Sequence, residues 1–187
     1  MNRRSRLRRH LQDAWVSTID QQYTEQLVNS EHGLQVYFCM ALLREFEESG
    51  VSRRLFIEPR LCAKGGQPRF PDVVICNKSH VIGIVELKYT PRVQPKTSKD
   101  LETLSFAAKH GPDLTIANQR FLGKASKPRE YPLATDAVLC WAGVYAGQRF
   151  SLEQDIEGSL AGRFLQLDAV TSTDGLPEKF VGGKRIS

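Results

Sequence analysis

FPDVVIC (residues 70–76) and VIGIVELKY (residues 81–89) are the stretches on which the fold turns. Each is an apolar run of strand length, and the short polar segment Asn77 to His80 joins them, so they read as a hairpin. Successive strand side chains alternate faces, which puts Ile82, Ile84, Glu86 and Lys88 on one side. Val81, Val85, Leu87 and Tyr89 fall on the other. A carboxylate and an ammonium two residues apart, ending an apolar strand, have two readings. They form a surface ion pair worth ~0–1 kcal/mol, or they belong to a site, because buried charge is costly unless it is paired or binds a metal.

Antiparallel pairing brings Asp72 towards Glu86. They share a face only if paired positions sum to 158, which requires an odd-numbered turn or a bulge in one strand. Two converging carboxylates repel without a cation; with Mg²⁺ they become hard oxygen ligands, and the Leu87 backbone carbonyl can supply a third. Lys88 would then orient or deprotonate an attacking water and offset charge on a phosphate.

Outward from the hairpin, the chain reads as one domain over 1–187 with no internal repeat. Leu11, Trp15, Ile19, Tyr23 and Leu27 recur at every fourth position and predict an amphipathic helix over 11–29. A second helix is expected from Ser30, its N-cap, to about Ser49-Gly50. Leu55 to Leu61 reads as a strand that Pro59 ends or confines to an edge. A third helix is expected from about Ser98 to His110, where Gly111-Pro112 stops it. Residues 123–132 read as a polar, proline-bearing stretch, Ala137 to Tyr145 as a buried strand, and Ser151 to Gln154 as a capping box. Phe164 to Val170 is a last strand, and 171–187 a weakly structured tail. The order predicts an α/β fold, a mixed sheet flanked by helices.

Charge is segregated. Residues 1–10 carry five Arg and no acid, read as a basic N-terminal arm, a frayed helix start or a solvated terminus. Residues 53–129 carry fifteen bases against six acids, a net +9 out of +5 for the whole chain. No apolar run approaches the ~18 residues of a membrane span, and no apolar core follows the Arg-rich start as in a signal peptide. The four Cys contain no Cys-x-x-Cys pair and sit in or beside apolar stretches, so a reduced, cytoplasmic protein is expected.

Pro71-Asp72, thirteen intervening positions and Glu86-Leu87-Lys88 resemble the motif of the PD-(D/E)XK nuclease superfamily. The resemblance implies a restriction-endonuclease-like fold with the core order αβββαβ, corresponding to residues 30–146. It also implies an acidic residue on the helix before the sheet, and Glu31 fills that place. Glu31 equally suits a first-turn carboxylate favoured by the helix dipole, worth ~0.3–1 kcal/mol. The exonuclease branch of the superfamily carries a Gln and a Tyr on the helix after the lysine. Residues 98–110 contain neither, so the resemblance stops short of that branch.

The function expected from these residues is Mg²⁺-dependent hydrolysis of DNA, with Mn²⁺ able to substitute. Asp72, Glu86, Lys88 and Glu31 would form the site, and the resemblance adds a homodimer as an arrangement open to the chain. Three basic groups flank the site in sequence: Lys64 and Arg69; Arg92, Lys96 and Lys99; Arg120, Lys124, Lys127 and Arg129. Singly these are solvated loop charges; together they suit a phosphate backbone. Two alternatives remain at this point. One is a non-catalytic nucleic-acid-binding module of the same fold; the other is an α/β interaction domain in which the motif is accidental.

Overall fold

The computed structural model describes residues 3–63, 66–118, 129–152, 158–160, 162–173 and 175–186. In chain order, α1 (Arg3–Ser17) continues into a π-helical turn (Thr18–Tyr23) and is followed by α2 (Glu31–Glu48). Four strands come next: β1 (Arg54–Ile57), β2 (Leu61–Ala63), β3 (Val73–Cys76) and β4 (Val81–Thr90). Then come α3 (Ser98–His110), β5 (Leu114–Asn118), β6 (Arg129–Ala146), β7 (Phe164–Thr171), β8 (Glu178–Val181) and β9 (Lys184–Ile186).

The main sheet runs β1-β3-β4-β6-β7-β8-β9, and the β2–β5 pair joins it along the first residues of β6. β4 with β6 and β6 with β7 are parallel; the remaining pairs are antiparallel. Parallel neighbours need a long crossover, and α3 lies within the one between β4 and β6. The expected mixed sheet flanked by helices is what forms.

The sheet is apolar on both faces, and β6 shows the division. Val138, Cys140, Ala142 and Val144 pack with Leu11, Trp15 and Ile19 and with Leu34, Phe38 and Leu42, from the α1–α2 side. Leu139, Trp141 and Tyr145 pack with Leu104 and Ala107 of α3. Trp141 finds room because its neighbour on that face is Gly143, where a Cβ would lie 2.2 Å from the indole ring. Gly143→Ala is therefore expected to cost ~2–3 kcal/mol through overpacking, read by urea denaturation. A wild-type midpoint would mean that the ring does not lie over Gly143.

The β3–β4 register meets the arithmetic condition. Val73 pairs with Val85, Val74 with Ile84 and Ile75 with Gly83, all summing to 158. Cys76 then pairs with Val81, so Ile82 is the extra residue of a bulge. The bulge also alters the simple alternation: Val81 packs on the α3 side and Ile82 on the α1–α2 side. Continued one step past Val73, the register sets Asp72 beside Glu86 on the α3 face.

Several expectations need correction. Of the readings of residues 1–10, neither the basic arm nor the solvated terminus holds, and the helix start does: α1 begins at Arg3, and Leu7, one turn before Leu11, is buried and extends the stripe. Arg4 and Arg8 anchor this start, the first on the carbonyls of Asp136 and Gly162, the second on those of Gly162 and Phe164. A strict four-residue repeat drifts by about 40° per step around an α-helix. The wider π turn takes up that drift and keeps Ile19 buried. The helix ends there, and Leu27 is exposed.

The strand expected over 55–61 is broken at Glu58, whose φ is 45°, and at Pro59, so β1 and β2 pair with different partners. Part of the stretch over 123–132 is strand, with Arg129–Pro132 pairing with β5. The tail is not weakly structured over 178–186: β8 and β9 extend the sheet, Lys179 pairs with Asp20, and the Arg149 guanidinium lies over Phe180. Glu153 and Gln154 of the capping box at 151–154 fall outside the described residues. All four Cys are free thiols, with Cys39, Cys76 and Cys140 buried. Among the described residues no helix is long and apolar enough to cross a membrane.

Candidate active site

Asp72 stands one residue before β3 and is fixed by three hydrogen bonds. Its carbonyl accepts from Gln35 Nε2 on α2 at 2.9 Å and from the Glu58 backbone N–H at 3.0 Å. Its Oδ2 accepts the Leu87 N–H at 2.6 Å. The far part of β4 delivers Glu86, 6% exposed, and Lys88 to the same face. Lys88 Nζ lies 3.4 Å from Glu31 Oε2, and that oxygen also accepts the Tyr89 N–H at 3.1 Å. Glu31 thus reaches the strand end from the α1–α2 side, where Ser30 caps α2 through the Gly33 N–H. The opposite wall is α3, whose first turn presents Asp100; its Oδ2 accepts the Trp141 indole N–H at 3.1 Å. These groups line a cleft of about 240 Å³, together with Arg69, Phe70 and Lys99.

The cleft is uncomfortable for its carboxylates. Burial pushes the Glu86 carboxyl up to about 10; the charges of Asp72 and Asp100 add to this, and Lys99 opposes it. Glu86 Oε1 is buried without a hydrogen-bond partner. Burial also raises Asp72, to about 6, against the restraint of the Leu87 N–H bond. Burial raises Asp100 as well, although its bond from Trp141 opposes the rise. Burial acts to lower the Lys88 amine, but Asp100, Glu31 and Asp72 outweigh it and hold the ammonium above its ordinary range. In this arrangement Lys88 is the charge partner of Glu31.

Of the residues expected at the site, Asp72, Glu86, Leu87, Lys88 and Glu31 all line the cleft. Among the described residues, however, no group of three His, Cys, Asp or Glu side chains is drawn together closely enough to hold a metal ion. Glu31 Oε2 is engaged with Lys88 and the Tyr89 N–H. Arg69 and Lys99 are on the cleft wall, and the Arg69 guanidinium lies over Phe106. Arg92 and Lys96 are exposed between β4 and α3. Arg129 bonds the Lys78 carbonyl at the far end of the hairpin. Lys64, Arg120, Lys124 and Lys127 lie outside the described residues.

Two residues of the site escaped the sequence reading. Gln35 carried a signal, being a polar residue one turn after Glu31 on the inward side of α2. Asp100 reads locally as nothing more than a first-turn acid. A larger depression, about 920 Å³, lies at the other end of the hairpin, around Asn77 to His80. Among the described residues Asp136 is the only acid lining it, so it offers no convergence of carboxylates.

No protein-family model matches the chain, and no curated protein matches it significantly.

Proposed function

We propose that the chain is a Mg²⁺-dependent nuclease of the PD-(D/E)XK type, hydrolysing DNA phosphodiesters in the cleft between β4 and α3. One observation carries the reading: Asp72, Glu86 and Lys88 share the cleft, and Glu86 Oε1 is buried there without a partner. A buried acceptor with no donor calls for a cation or a proton. The fold supports the reading too, since α2, β1, β3, β4, α3 and β6 occur in the order αβββαβ when the short β2 and β5 are set aside.

The donor set suits Mg²⁺, which takes one or two carboxylates and keeps several waters. Asp72 and Glu86 would hold it with the Leu87 carbonyl, and Glu31 would contribute from the strand end. When bound, the cation makes a coordinated water acidic and draws charge from the phosphate oxygens. The chain's own groups do the rest. Gln35 and the Glu58 and Leu87 N–H groups hold Asp72 still. The Lys88 ammonium, steadied by Glu31, would offset the charge on the phosphate as a water oxygen bonds to phosphorus and the P–O bond to the leaving sugar breaks, the water giving up a proton to solvent and the sugar oxygen taking one from it. Arg69 and Lys99 on the wall and Arg92 and Lys96 beyond it suit the flanking phosphates.

The test is cleavage of duplex, branched and single-stranded DNA and of RNA in Mg²⁺ or Mn²⁺. DNA is expected to be cut, chelation to stop the cutting, and Lys88→Ala and Asp72→Ala each to reduce it by at least ~10²–10⁴-fold. Undiminished cleavage in both variants, or no cleavage of any substrate by the wild type, overturns the proposal.

A further inference from the structure

Asp100 is the least expected member of the cleft. It is 6% exposed, yet it lies on the wall opposite β4 and gives one oxygen to a buried indole. That indole is held tightly. Trp141 is the ladder partner of Glu86, so the two side chains rise from adjacent strands on one face. Its ring covers the space left by Gly143, which points the Nε1–H at the first turn of α3. A sheet residue beside Glu86 therefore fixes a helix carboxylate across the cleft from it.

A purely structural account leaves this placement unexplained. With every group ionised, four carboxylates on the wall (Glu31, Asp72, Glu86 and Asp100) would face three bases (Arg69, Lys88 and Lys99), an excess of one negative charge. A fourth acid beside an acceptor that already lacks a donor worsens the repulsion unless a proton is held there or a cation enters. A divalent ion would turn the excess into one positive charge, matched to a single phosphodiester.

We infer that Asp100 is a fourth carboxylate of the cation centre, presented by α3 and positioned by the Trp141 indole, and that Trp141 reports the cation's arrival. The inference rests on the cation reading given above. Outer partners of metal sites typically change affinity by ~10–100-fold, and Asp100 should do so.

The experiment is a calorimetric titration of the whole chain with Mg²⁺ or Mn²⁺ alone, paired with tryptophan emission. Asp100→Asn keeps an acceptor for the indole and removes the charge. It is expected to weaken binding by ~10–100-fold while thermal unfolding shows the fold intact. The wild type should show a saturable change in emission, which Trp141→Phe removes; Trp15 is the only other tryptophan. If Trp141→Phe fails to fold, the calorimetric comparison of Asp100→Asn with wild type decides without it. Cation binding that Asp72→Asn abolishes but Asp100→Asn leaves unchanged overturns this inference and spares the centre. Absence of both binding and cleavage in the wild type overturns the centre itself. Weakened binding in Asp100→Asn with no emission change in the wild type overturns the reporter role of Trp141.

Discussion

Glu86→Gln is expected to stabilise the cation-free protein at pH 8 by on the order of 5 kcal/mol, at 1.36 kcal/mol for each of the roughly 3.5 pKa units between the ordinary 4.5 and pH 8. The same change should remove cation binding. The Glu86 carboxyl is raised from its ordinary 4.5 to about 10. Between those values the folded chain retains a proton that the unfolded chain has released, so stability falls as pH rises through that window. Asp72, raised from 3.8 to about 6, adds a second loss confined to the lower part of the range. Below about pH 4 both groups are protonated in both states and the cost is absent. A neutral glutamine never incurs it. Chemical denaturation with a chelator at pH 5 and pH 8 measures this. Wild-type stability should fall between the two, and the Glu86→Gln profile should be flatter. Mg²⁺ at pH 8 should restore the wild type and leave the variant unchanged. A variant less stable than wild type at pH 8 would mean that Glu86 is already satisfied without a cation.

Asp168→Ala is expected to cost ~3–5 kcal/mol, the usual penalty for removing one partner of a buried charged network. Asp168 is fully buried on β7, where Oδ1 accepts from the Tyr145 hydroxyl at 3.0 Å and Gln166 Nε2 at 2.8 Å. Oδ2 lies 3.4 Å from Arg149 Nε. Gln166 also receives the Leu152 N–H and donates to the Phe150 carbonyl. The network therefore ties the segment after β6 to the sheet, and Alanine would leave a phenol, an amide and a guanidinium facing a void. Asp168→Asn keeps an acceptor for Tyr145 and should lose distinctly less. Urea denaturation of the two variants checks both the size and the order. Equal midpoints for Asp168→Ala and wild type would mean that the network holds nothing together.

The site's first half was legible because it is local. The alternation of β4 and the short connection to β3 put Glu86 and Lys88 on one face and bring Asp72 near, and simple arithmetic stated what register they required. Ser30 and Gly111 likewise marked where α2 begins and α3 ends. The other half depends on contacts between distant elements. Asp100 belongs to the cleft only because α3 crosses over β6, 41 positions away at Trp141. The five N-terminal Arg look like a solvated arm until the carbonyls of Gly162 and Phe164 come within reach of Arg4 and Arg8. Local charge cannot reveal its partner when that partner is supplied by the far end of the chain.

The bulge at Ile82 has a consequence for how this sequence can vary. Because side chains alternate with period two, the segment Asn77 to Ile82 acts as a parity setter for everything beyond it. Exchanges of one residue for another there leave the parity untouched, and exposed positions such as Lys78 and Ser79 should drift freely. Loss or gain of a single codon is a different matter: it would turn Glu86 and Lys88 to the side opposite Asp72. Chains descended from this one should therefore differ in that segment by substitution, with its length held fixed.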